Sequence, residues 1–112
     1  AFTGLSGSGI AYMFHLLHAF ALGGTAAGIP YPTSLSIALE TMEGAITTVK
    51  ESGENPMTLL SRVISPGGTT IQGIRVLEEE NVTAGIMEAI SAAAKKAEEM
   101  EKTTFSKDTL KT

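Results

Sequence analysis

Cysteine is absent, so neither a disulfide nor thiolate chemistry contributes to this protein. Charge is absent from the first third of the chain: no Asp, Glu, Lys or Arg precedes Glu40. Basic residues are few throughout, with Lys and Arg totalling 8 against 12 Asp and Glu, for a net charge of −4. No basic patch of the kind that tracks a phosphate backbone forms, which argues against a nucleic-acid partner. No segment alternates apolar and polar residues over strand length, so an all-α fold is expected. At 112 residues the chain is one domain of modest size. That is too short for a nucleotide-binding domain plus a substrate domain, and no Rossmann domain is expected in it. With no initiating Met and no basic leader at Ala1, the sequence reads as a piece of something longer.

The uncharged N-terminal third contains an apolar run over residues 9–29 that has the length of a membrane span. His15 and His18 would both sit near the bilayer centre, where polar groups are costly. The run is also flanked by glycines and by Pro30-Tyr31-Pro32 instead of the Lys or Arg usual at membrane ends. A protein-covered helix is the better expectation, and no membrane association is expected.

The pattern predicts five helices over residues 1–102, with a polar, frayed tail at 103–112. The first covers residues 9–27 and stops at Gly28, a C′ glycine. Thr33 or Ser34 is placed as the cap of the second, after two prolines that block continuation. That helix carries Leu35, Leu39, Met42, Ile46 and Val49 at helical spacing and ends at Ser52-Gly53. Asn55 caps a short third helix with Pro56 at its first position. The fourth begins at Thr69 or Thr70 and ends before Asn81, a candidate left-handed stop. The fifth starts near Thr83, with Ile86, Ile90, Ala93 and Ala97 along one stripe. Small residues crowd these helices, and the glycines inside them point to close interhelical packing. A first helix apolar on every side needs more cover than four short neighbours supply. An intertwined homodimer is the expected remedy.

Ser65-Pro66-Gly67-Gly68-Thr69-Thr70 interrupts the helical pattern with the chemistry of an anion cradle. Pro66 cannot continue a helix, and the two glycines admit a close ligand. Free N–H groups where the next helix begins suit a carboxylate or a phosphate. A plain Pro-Gly-Gly turn between helices fits the same residues. His15 and His18, with Glu40 and Glu43, have the spacing of a two-helix metal site. Local hydrogen bonding in a covered helix accounts for both histidines, and no metal is assigned. Tyr12 and Tyr31 are read as packing residues.

Read in order, Thr3-Gly4-Leu5-Ser6-Gly7-Ser8-Gly9, Gly28-Ile29-Pro30, Thr41-Met42-Glu43-Gly44-Ala45 and Val63-Ile64-Ser65-Pro66-Gly67-Gly68-Thr69-Thr70 resemble the C-terminal dimerisation domain of pyrroline-5-carboxylate reductases. The likeness runs from Thr3 to about Met100 and is most specific at the Ser-Pro-Gly-Gly-Thr-Thr run. It implies an interlaced helical homodimer, in some assemblies a ring of dimers, in a cytoplasmic oxidoreductase of proline biosynthesis. That enzyme reduces 1-pyrroline-5-carboxylate to L-proline with NADPH or NADH, held mainly by a domain this chain lacks. Alone, the chain is expected to be inactive. Carried onto this sequence, the substrate carboxylate would meet Ser65, Gly67, Gly68 and Thr69. Thr70, the expected catalytic residue, would face the ring nitrogen, and Thr3 and Ser6 would lie near the nicotinamide. Ile10, His18, Glu40, Asn81 and Lys96 depart from the family's usual residues, none of them in the signature run. A free-standing helical oligomerisation module without catalysis is the alternative.

Overall fold

The computed structural model of the chain describes residues 1–64 and 68–111, with residues 104–111 in backbone only. A π-helical turn, Thr3–Gly7, is followed by α1 (Gly9–Ala26), α2 (Tyr31–Ser52), α3 (Pro56–Ile64), α4 (Gly68–Glu79) and α5 (Val82–Lys111). No strand occurs among the described residues, so the class is all-α as the pattern predicts. The chain divides into two units. One joins Ala1–Met13 to the segment from Glu80 onward, and the other is Phe14–Glu79.

The helix ends are set locally. At the end of α1, Ile29 N–H donates to Gly24 O at 3.0 Å and Gly28 N–H to Thr25 O at 3.0 Å, with Gly28 at φ +106°. This is a complete Schellman closure around a glycine. Gly53, at φ +67°, closes α2 by donating to Val49 O at 3.0 Å. Asn55 Oδ1 accepts the Met57 N–H at 2.8 Å and caps α3 ahead of Pro56. Asn81 takes φ +56° between α4 and α5. Helix α5 continues in its backbone to Lys111, past Lys102, where the sequence pattern starts a polar tail. No Pro or Gly follows Gly85, so nothing in the covalent chain breaks the helix there.

The start of α2 differs from the expected cap at Thr33 or Ser34. Helix α2 begins at Tyr31, with Pro30 as the preceding extended residue and Pro32 inside the first turn. A proline there loses nothing, because first-turn N–H groups have no intrahelical acceptor. Ser34, thus freed from capping, is buried and donates its hydroxyl across the α1–α2 corner to Ala21 O at 2.8 Å. Thr25 Oγ1 donates to the same carbonyl at 3.0 Å. Gly24 makes this approach possible, since a Cβ built there would lie 1.9 Å from Ser34 Oγ. A second tie is the His18 Nδ1 to Tyr31 hydroxyl hydrogen bond of 2.8 Å, with the two rings edge to face.

In the other unit the π turn packs on α5. Gly4 is buried there; a Cβ on it would meet Ile90 O at 2.5 Å and Ala94 N at 3.0 Å. Close packing therefore explains Gly4 and Gly24. It does not explain Gly23, Gly44 or Gly73, where an added Cβ meets none of the described residues within 4 Å.

Among the described residues the buried apolar side chains are only Ala21 and Ala38. Phe2 is 80% exposed, Met57 67% and Phe14 64%. On α2, Leu39 and Ile46 of the apolar stripe are exposed while Leu35, Met42 and Val49 are half-buried. A free-standing domain would bury side chains of this size.

Replacing Gly24 by Ala should destabilise the chain by about 1–3 kcal/mol, because the Ser34 hydroxyl must leave the Ala21 carbonyl and a buried polar group loses its partner. Ser34→Ala, which removes donor and desolvated hydroxyl together, should cost about 1 kcal/mol or less. Urea unfolding midpoints order the two variants, and a Gly24→Ala midpoint equal to wild type would contradict the corner geometry.

Candidate functional site

The helix that begins at Gly68 carries three of the candidate site residues. Gly68, Thr69 and Thr70 form its first turn, so their three N–H groups have no carbonyl one turn earlier within the helix. These N–H groups point along the positive end of the helix dipole, and no acidic side chain occupies that first turn. Gly68 and Thr69 are exposed, and Thr70 is half-buried. An added Cβ on Gly68 would meet none of the described residues within 4 Å. Chemically, this arrangement can hold a carboxylate or phosphate by main-chain donors, with one threonine hydroxyl immediately beyond. Ser65, Pro66 and Gly67, the other members of the expected cradle, lie outside the described residues. Thr3 and Ser6 sit on the π turn of the first unit, both exposed.

Helix α3 delivers the chain to this turn and packs on α4. It is nine residues long and has no buried residue. Sequence reasoning passes over the contact that spans it. Arg62, in the last turn of α3, reaches back to Glu54, which precedes the capping Asn55. Arg62 Nη1 donates to Glu54 Oε2 at 2.5 Å and Nη2 to Oε1 at 2.8 Å, a two-pronged guanidinium–carboxylate pair. Their separation of eight residues exceeds the three or four that helical patterns look for. The available signal was an acid before the helix start and a base in its last turn, both complementing the dipole.

The two tyrosines both have protein partners. Tyr31 bonds His18, and the Tyr12 hydroxyl donates to Ala89 O at 3.4 Å. Among the described residues no three His, Asp or Glu side chains converge on a common point.

The Arg62 hydrogen bonds hold the Glu54 carboxyl below its ordinary 4.5. A carboxyl depressed in the folded state contributes fully above 4.5, and its contribution is lost as the pH falls through the folded value. Side-chain carboxyl NMR should therefore show Glu54 titrating below the ordinary 4.5. In Arg62→Gln it should return to the ordinary range; an unmoved midpoint would mean that the pair does not form in solution.

Comparison with known proteins bears on what this turn is for. A family profile described as pyrroline-5-carboxylate reductase dimerisation matches residues 1–100. Pyrroline-5-carboxylate reductase of Arabidopsis thaliana is 49% identical over 100 residues, covering 89% of this chain and 36% of that protein. The crystal structure of Plasmodium falciparum pyrroline carboxylate reductase with NADP bound superposes with a TM-score of 0.85 at 30% identity, over 88% of this chain and 40% of that one. The enzyme from Streptococcus pyogenes gives 0.82 at 36% identity, over 86% and 37%. The chain thus spans a little over a third of the length of its curated relatives. Over that span, in sequence and in helical architecture, the chain belongs to the pyrroline-5-carboxylate reductase dimerisation family.

Proposed function

We propose that this chain is the substrate-holding and dimer-forming part of a pyrroline-5-carboxylate reductase, which reduces 1-pyrroline-5-carboxylate to L-proline. The family match over residues 1–100, with Gly68–Thr70 opening a helix inside it, carries the reading. The substrate has a carboxylate and a cyclic imine, and reducing it is chiefly a matter of holding the ring in one pose. Gly68 and Thr69 N–H, with Ser65, hold the carboxylate without a lysine that would compete for protons. The Thr70 hydroxyl faces the ring nitrogen and shares its proton as the amine forms.

The nicotinamide dinucleotide supplies hydride to the imine carbon when bound. The described residues do not by themselves fit that cofactor: they include no strand, and so no strand–turn–helix cradle for its pyrophosphate. Thr3 and Ser6, exposed hydroxyls on the π turn, are assigned to its nicotinamide end. The chemistry given to this chain is binding and proton placement.

The same reading covers the apolar helices with a second copy of the chain, and pairs of such dimers extend to a ring. The helical stretch Thr3–Ala26 is also long and apolar enough to cross a membrane by length and composition. A protein partner is favoured because His15 and His18 lie within it and would be desolvated in lipid.

Thr70→Ala in the reductase should lower turnover by roughly 10- to 100-fold, the value of a hydrogen bond to a charged or partly charged nitrogen. An unchanged rate removes Thr70 from the mechanism. Titrating the 112-residue chain with L-proline should move the amide resonances of Gly68, Thr69 and Thr70 before others. A folded oligomer with a silent spectrum would leave only the oligomerisation role. Light scattering should give twice the monomer mass, and Phe14→Glu should lower it; a monodisperse wild-type monomer would remove the pairing.

A further inference from the structure

Helix α1 carries two histidines on an uncovered side. Phe14, His18 and Leu22 recur every four residues and His15 stands seven before Leu22, so the four share one stripe of the helix. All four are exposed in the single chain and lie within the unit Phe14–Glu79. Ala21 beside them is buried, and its carbonyl receives the Ser34 hydroxyl from α2. Little on this chain answers a positive charge at the two rings. No Asp or Glu precedes Glu40 in the sequence. From α2, which meets α1 at the corner, the titratable group facing His18 is the Tyr31 hydroxyl, hydrogen-bonded to Nδ1. The charged side chains of α2 are Glu40, Glu43, Lys50 and Glu51. Each lies roughly 120° or more around that helix from the buried Ala38. A neutral imidazole is readily covered by apolar surface, whereas a charged one holds its water unless an acid replaces it.

We propose that a second copy of the chain covers this stripe, and that pairing weakens in acid as His15 and His18 take up protons. It rests on the reading that the chain forms a dimer. A second copy is the occupant because the dimerisation profile spans residues 1–100 and so includes the stripe, whose Phe14 and Leu22 are left exposed by this chain. The covered state favours neutral rings, and the dimer then binds fewer protons than two free chains. Association is accordingly strongest above the ordinary histidine range, near 6.5, and is lost as the pH falls through it. An acid of the second copy set against the rings would give the opposite sign.

The test measures the dimer dissociation constant of the full 112-residue chain by analytical ultracentrifugation, with circular dichroism as the check that the helices persist. Between about pH 7.5 and about pH 6.0 the constant should rise at least about tenfold. The double variant His15→Gln/His18→Gln, uncharged at every pH, should change less than about twofold over the same range. His15→Gln alone, which leaves the Tyr31 bond in place, should lose part of the dependence and serves if the double variant does not fold. A wild-type constant that stays level, or that tightens in acid, overturns the proposal while the dimer stands. So does a variant as sensitive to pH as wild type, or helix lost before the dimer. A chain that is monomeric at every pH, including one that binds phospholipid vesicles instead, overturns the dimer reading and the proposal with it.

Discussion

The Ser34 hydroxyl resting on the Ala21 carbonyl, over a glycine at position 24, is the contact on which the unit Phe14–Glu79 depends. It needs three things together: a missing Cβ on α1, a hydroxyl of the right reach on α2, and a helix start early enough that the hydroxyl is not spent on capping. Pro30 and Pro32 provide the last by placing the α2 start at Tyr31. With that corner closed, Phe14, Phe20, Leu22, Ile37, Leu39 and Ile46 on the two helices remain exposed. The apolar surface left over is therefore a product of how the corner closes as much as of composition.

The helix ends were largely legible in the sequence. Gly28, Gly53, Asn55 with Pro56, and Asn81 are local solutions to local problems, and each stands where its residue type predicts. Ser34 was not legible, because a serine after two prolines has the pattern of a cap, and its true acceptor lies on another helix. The π turn was missed for a similar reason. No local pattern marks it, whereas Gly4 is required by the backbone of α5 more than 80 residues on. The Glu54–Arg62 fork escaped through its spacing. The close-packing explanation for glycines succeeded at Gly4 and Gly24 and found no neighbour at Gly23, Gly44 or Gly73, since a pattern of small residues does not say which chain supplies the opposing surface.

The candidate site shows the same division. That a helix opens at Thr69 or Thr70 follows from composition and turn chemistry, the observed start at Gly68 being a residue earlier, and the donors follow from the helix. Which anion they would suit does not. Main-chain N–H groups recognise charge and shape, so a carboxylate and a phosphate satisfy them alike. What favours a carboxylate is the likeness of residues 1–100 to the pyrroline-5-carboxylate reductases.

The first unit is built from the two ends of the chain: Ala1–Met13 meets the segment from Glu80 onward, and the hydrogen bond from Tyr12 to Ala89 joins residues 77 apart. Contacts of that separation must close a long loop before they return any stabilisation, which makes them slow. The corner contacts of the other unit join residues only 13 apart. On a ribosome the corner can close as soon as α2 emerges, whereas the seat of Gly4 does not exist until α5 has been made. Between those two moments the segment Ala1–Met13 has no docking place. Translation order, and not only equilibrium stability, decides how long the turn at Gly4 waits for the helix backbone it packs on.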